Sequence, residues 1–191
     1  MKNILLINGH SADKSLSQAM LAAYKQQVES QGHSIHVIEL GKLKFDPLLH
    51  QGYGVIQELE PDLVDAQKWI LWANHIAWFF PVWWTGFPAL LKGFIDRCFL
   101  PGFAFRYHKK DPLWDKLLSK RSSDVIYTSG TPVWLHKLMG NPLKNMFKAV
   151  FGFCGLKPLR ILAFGGVREL SPQQVEAILL KTKVFAKSIK G

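Results

Sequence analysis

Three short stretches hold residue types that could do chemistry, and each follows an apolar run. The first is Asn8-Gly9-His10-Ser11-Ala12-Asp13-Lys14-Ser15-Leu16-Ser17. Hydroxyls and a lysine at the start of a helix outline a phosphate site, because free N–H groups and the positive end of the helix dipole face such a loop. Simple N-capping by serine fits the same pattern. The second is Val82-Trp83-Trp84-Thr85-Gly86-Phe87-Pro88, an aromatic loop on which a flat conjugated ligand could stack; these rings could equally be core. The third is Ser129-Gly130-Thr131-Pro132, a turn that follows Asp124-Val125-Ile126-Tyr127-Thr128. His10, His75, His108 and His136 lie nearest these loops, but a lone histidine is usually a hydrogen-bonded structural residue. No constellation of side chains marks a catalytic residue. The sequence has no G-x-G-x-x-G after its first strand, no Walker A loop, no G-x-S-x-G elbow and no H-E-x-x-H. Chemistry here is therefore expected from a cofactor.

The elements that must hold these loops alternate in type. Ile4 to Ile7 is a short apolar run, as a parallel strand buried on both faces shows. A helix is expected from about Ser15 to Ser30, with Leu16, Met20, Ala23, Tyr24 and Val28 inward and Ser15 with Gln18 as a capping box. Ser34 to Leu40 reads as a second strand. Residues 41–60 show no sustained period, with one turn of helix expected near Val55. Pro61 starts a helix whose inner residues are Leu63, Val64, Trp69 and Ile70. Ile76 to Phe80 is the third strand, ended by Pro81. The helix from Ala89 turns Leu90, Leu91, Phe94, Ile95 and Cys98 inward, with Lys92, Asp96 and Arg97 on its outer side. Phe103 to Tyr107 reads as extended, and a short helix is expected around Leu117. The fourth strand precedes a helix capped by Asn141, running from Pro142 to about Phe153. Leu159 to Phe164 is the fifth strand, and Ser171 caps the last helix. Five alternations with no repeat or linker specify one domain over residues 1–191, a doubly wound five-stranded parallel sheet of order 2-1-3-4-5 with helices on both faces. In that order the three loops share one edge, outside the strands' carboxyl ends.

The chain has 191 residues, 24 of them basic and 14 acidic, for a net charge of +10. Such a charge favours anionic partners, and it suits a phosphate-bearing cofactor as well as DNA. No arginine-rich block or nucleic-acid-binding signature accompanies it. No apolar run reaches the ~20 residues of a membrane span, and the sequence reads as that of a soluble, cytoplasmic protein. Cys98 and Cys154 are too few for a disulfide framework, do not form a C-x-x-C pair, and are expected to be structural. No metal site is expected.

Pro81-Val82-Trp83-Trp84-Thr85-Gly86-Phe87-Pro88-Ala89-Leu90-Leu91-Lys92-Gly93, followed by Asp96-Arg97 and Phe103-Ala104-Phe105, resembles the signature of the flavodoxin-fold NAD(P)H:quinone oxidoreductases. His10-Ser11 with Ser15-Leu16-Ser17 is similar to that family's flavin-phosphate loop, and Thr128-Ser129-Gly130-Thr131 stands where the family usually has T-T-G-G. Thr131 departs from its second glycine. The length is that of the short branch, which includes ancillary flavoproteins of potassium efflux systems.

The resemblance implies a flavin, FMN or else FAD, and NAD(P)H as hydride donor. Ser15, Leu16 and Ser17 would hold the flavin phosphate, with His10 beside it. Pro81, Val82, Trp83, Trp84 and Thr85 would line the ring, and Thr128, Ser129, Gly130 and Thr131 would meet its pyrimidine end. Phe105 and Tyr107 would contact the nicotinamide or quinone. The family's later tyrosine and histidine have no clear match, although Trp134 and His136 lie nearby. The implied activity is two-electron reduction of quinones or similar acceptors by a ping-pong mechanism. The alternative is a flavin-bearing subunit of a membrane transporter. A homodimer is expected, both from the resemblance and from seven tryptophans and 13 phenylalanines in one chain of this size.

Overall fold

The computed structural model describes residues 1–189. Its centre is a five-stranded parallel sheet of β1 (Asn3–Asn8), β2 (Ser34–Glu39), β3 (His75–Pro81), β6 (Ser122–Ser129) and β7 (Leu159–Gly165), in the order β2-β1-β3-β6-β7. Counting only these strands, this is the expected 2-1-3-4-5. Side chains alternate across each strand, so each central strand feeds two cores. Leu5 and Ile7 of β1, Trp78 and Phe80 of β3, and Val125 and Tyr127 of β6 enter one core. It is covered by α2 (Pro61–Trp72), α3 (Ala89–Cys98) and α5 (Pro142–Cys154). Ile4 and Leu6, Ala77 and Phe79, and Ile126 enter the other, under α1 (Leu16–Ser30) and α6 (Pro172–Lys187).

The parallel register brings the carboxyl ends together. Asn8 lies opposite Phe79, Pro81 opposite Thr128, and Ser129 opposite Gly165. The three loops singled out by sequence thus leave one edge of the sheet. No described helix is long and apolar enough to cross a membrane.

Several local expectations need correction. Phe105–Tyr107 is a strand, β4, and Phe105 and Tyr107 do share a face, but β4 pairs antiparallel with an unexpected β5 (Trp114–Lys116). No helix forms around Leu117, where the chain turns directly out of β5, and none near Val55, where Gln51–Val55 is turn and bend. A short helix, α4 (Val133–Leu138), was not anticipated. Val64 is exposed rather than inward. Asn141 precedes α5 with φ +55°, and its side chain makes no capping bond.

Arg97 departs furthest. It belongs to the outer side of α3 by periodicity, yet is 0% exposed. Its guanidinium donates to the Asp46 and Glu58 carbonyls at 2.6 and 2.8 Å and to both carboxylate oxygens of Glu60. The uncovered stretch 41–60 folds over α3 and supplies this shell. Gly93, one turn earlier, admits that stretch, since a Cβ there would lie 2.4 Å from Pro47. Lys92 and Asp96 do face solvent, as an i,i+4 pair.

Candidate active site

Pro81 ends β3, and Val82 is held by its N–H to the Thr128 carbonyl at 2.7 Å. The chain then reverses over two residues: Trp83 and Gly86 exchange backbone hydrogen bonds, with Trp84 at φ +50° and Thr85 at φ +58° between them. Two consecutive left-handed residues make a type I′ turn, which normally takes asparagine or glycine. Trp84 and the β-branched Thr85 hold this conformation at a cost, a pattern that concentrates at ligand sites. The aromatics divide on either side of the turn. Phe87 packs on Phe80, Phe147 and Phe151 and anchors the loop in the core. Trp83 is half-exposed, and the Trp84 indole is wholly exposed.

Trp83, Trp84, Thr85 and Val82 form one wall of a cavity of about 600 Å³. Ser129, Gly130, Thr131, His136 and Arg168 form the other. Ser129 Oγ accepts the Thr131 N–H at 3.1 Å, and lies 3.1 Å from His136 Nε2. His136 is 6% exposed, and Nδ1 has no partner among the described residues. The reading from sequence left His136 unassigned and missed Arg168. The signal for Arg168 was Gly165-Gly166, a pair just past the fifth strand.

The phosphate-type loop joins this cavity through His10, whose ring meets Trp83 edge to face at 5.7 Å between centroids. His10 Nδ1 accepts the Ala12 N–H at 2.9 Å, and partial burial holds the imidazole below its usual pKa. Neutral His10 therefore presents an Nε2–H donor. Ser15 caps α1 by accepting the Gln18 N–H at 3.1 Å. The capping box is only half formed, because the Gln18 side chain runs instead to Asn8 and Glu39. Leu16 and Ser17, in the first turn, have N–H groups with no carbonyl four residues earlier in the helix. Ser17 is 1% exposed, and its Oγ has no hydrogen-bond partner among the described residues. A buried hydroxyl without a partner is costly, and natural proteins keep few. At a helix N-terminus it fits a phosphate oxygen. The unpartnered Ser17 Oγ and His136 Nδ1, with an aromatic wall between their loops, fit a planar group that carries a phosphate.

Pro81, Val82, Trp83, Trp84, Thr85, Ser129, Gly130 and Thr131 thus meet at one edge, with Thr128 buried beneath. Phe105 and Tyr107 do not join them within one chain. They pack around Phe153 near the end of α5, at 4.9 and 6.3 Å between centroids, beside Trp114. Trp134 is exposed on α4 and lines no part of the cavity. Cys98 and Cys154 are free and buried; burial raises both thiols, that of Cys154 to about 12, as structural cysteines require. No group of three or more potential metal ligands occurs among the described residues.

Two larger hollows lie elsewhere. One of about 780 Å³ is lined by α1 and α6, and one of about 990 Å³ lies between α5, β5 and the start of β7. Neither touches the three loops.

A family model described as flavodoxin-like fold matches residues 2–184. The chain is 30% identical over 206 residues to NAD(P)H dehydrogenase [quinone] 1 of Cavia porcellus, covering 94% of this chain and 74% of that protein. It is 26% identical over 187 residues to a Haemophilus influenzae protein called an uncharacterized NAD(P)H oxidoreductase, covering 93% and 90%. Among solved structures, Smu.1420 from Streptococcus mutans superposes with a TM-score of 0.84 at 25% identity, over 98% of this chain and all of that one.

Proposed function

The chain belongs to the flavodoxin-like fold family, and from that premise we infer a flavin-dependent NAD(P)H oxidoreductase that reduces quinones or similar acceptors. The activities named for its relatives support this reading. The observation that carries it is the union, at one sheet edge, of the strained Trp83–Gly86 turn with a helix start that holds an unsatisfied buried hydroxyl.

We assign the phosphate of FMN to Ser15, Leu16 and Ser17, through the first-turn N–H groups and the Ser17 hydroxyl, with His10 beside them. Pro81, Val82, Trp83, Trp84 and Thr85 border the ring, and Thr128, Ser129, Gly130 and Thr131 its pyrimidine end. A bound flavin would supply two-electron hydride chemistry between NAD(P)H and the acceptor. The chain's own residues supply the rest. The turn fixes the stacking face, and Ser129 orients His136 at the cavity wall.

Phe105 and Tyr107 enter this scheme only across a dimer. We propose that they close the cavity of a second copy, where they meet the nicotinamide or quinone. Two buried, unpaired cysteines suit the reducing cytoplasm, where NAD(P)H is made.

Donor and acceptor sharing one cavity predict ping-pong kinetics. Initial rates of NAD(P)H oxidation at several fixed quinone concentrations should give parallel double-reciprocal lines. Intersecting lines would mean that both substrates bind together, against the shared-cavity assignment.

A further inference from the structure

We propose that Arg168 makes the cavity selective for a second substrate bearing an anionic group, a carboxylate, sulfonate or phosphate placed beside its planar ring. This rests on the oxidoreductase reading above and deepens it by naming a substrate class.

Gly165, at the end of β7, passes so close to the neighbouring loop that a Cβ would lie 2.5 Å from both the Thr131 carbonyl oxygen and the Val133 nitrogen. Gly166 then turns with φ +73°. Val167 donates its N–H to the Ser129 carbonyl at 3.2 Å. These contacts fix residue 168 against the cavity wall rather than leaving it on a free loop. Gly130 makes the room, since a Cβ there would stand 3.0 Å from Arg168 Nε and 3.5 Å from its Cγ.

The guanidinium so placed has nothing to neutralise it. No salt bridge or hydrogen bond of Arg168 occurs among the described residues, and no aspartate or glutamate lines the cavity. Arg97 and Arg160, by contrast, pair with Glu60 and Asp124, and Arg121 donates to backbone carbonyls. The exposed Trp83 and Trp84 line the same cavity. Arg168 is exposed to solvent, and a planar fork of donors in one cavity with aromatic rings and no lining acid suits an aromatic anion. The net charge of +10 draws such ligands in from solution.

The anion could come with the acceptor or with the hydride donor's phosphates, and the variants Arg168→Gln and Arg168→Lys separate the two. The flavin-loaded protein is assayed with 1,4-naphthoquinone and its 2-sulfonate, and with NADPH and NADH. Arg168→Gln should lower the ratio of kcat/KM for sulfonated over neutral quinone about tenfold, the loss of one charge-assisted bond, and Arg168→Lys should restore most of it. A fall confined to the NADPH-over-NADH ratio would overturn the proposal and assign Arg168 to the donor's extra phosphate. Both ratios unchanged would overturn the proposal. Equilibrium dialysis of naphthalene-2-sulfonate gives a readout independent of turnover, with about tenfold weaker binding to Arg168→Gln expected. Absence of flavin from the protein would defeat the oxidoreductase reading alone, while equal affinity of parent and Arg168→Gln for the sulfonate would defeat this one.

Discussion

Ser17 carries a buried hydroxyl that nothing among the described residues satisfies, and Trp84 a wholly exposed indole on a left-handed backbone. Each costs stability, so each substitution should move stability and binding in opposite directions. Ser17→Ala removes an unsatisfied oxygen and should stabilise the flavin-free protein by about 1 kcal/mol. It should also weaken flavin binding about tenfold if that oxygen bonds the phosphate. A urea midpoint and a flavin titration on the same variant check both signs. A fall in both would mean that Ser17 has a partner in the folded chain. Trp84→Ala should cost flavin affinity about 1–3 kcal/mol, the range for loss of aromatic–base stacking, with no loss of fold. Trp84→Gly should in addition raise the urea midpoint, because glycine takes φ +50° without strain. The question left by the sequence, whether the aromatic loop is core, has a split answer: Phe87 is core, and Trp83 and Trp84 are exposed along the cavity. Composition alone could not divide them, because the turn that separates them is built from residues unusual for it.

At the scale of elements, the end of the sheet opposite the site is tied by a buried polar network. Asp124 of β6 accepts from Tyr24 Oη of α1 at 2.7 Å and from Arg160 of β7, and it lies 3.4 Å from His75 Nε2 of β3. Burial works to raise the Asp124 carboxyl, but the hydrogen bonds and charges of His75 and Arg160 outweigh it and hold the pKa below the usual value. A carboxyl depressed on folding contributes stability that is complete above the unfolded-state pKa of about 3.9 and is lost as pH falls through the folded value. The parent's urea midpoint should therefore drop steeply below about pH 4, and Asp124→Asn should flatten that drop. At pH 7 the same variant should be less stable by about 1.5–3 kcal/mol, the range for hydrogen bonds to a charged group. An unchanged acid limb would remove Asp124 from this role.

The strands and their order were legible because five apolar runs alternating with helical patterns leave few topologies. What escaped was set by tertiary contact. Trp114-Asp115-Lys116 has no strand pattern, and pairs with Phe105–Tyr107 because Trp114 stacks on Phe153. Arg97 keeps outward periodicity on α3 and is buried only because residues 41–60 fold back over it. The candidate site was legible in its three loops. Arg168 was not, because it comes from a fourth loop, brought in by the close approach of Gly165.

For the whole molecule, the expected surplus of aromatic residues turns out smaller than composition implied. Trp78, Phe79, Phe80, Phe94, Phe147 and Phe151 are fully buried in one chain. Trp83, Trp84, Tyr107, Trp134, Leu138 and Met139 remain exposed. We propose that a second copy covers part of this surface by two-fold symmetry. Light scattering during size exclusion at micromolar protein should give a dimer of twice the 21.7 kDa chain. A monomer with full activity would contradict both the dimer and the placement of Phe105 and Tyr107. The central claim is that this fold edge holds a flavin that passes electrons from NAD(P)H to an acceptor. The visible spectrum of the purified or FMN-reconstituted protein tests it most directly. The account predicts a bound-flavin absorbance that bleaches on adding NAD(P)H without oxygen and returns on adding a quinone. A protein that neither carries flavin nor takes it up would contradict it.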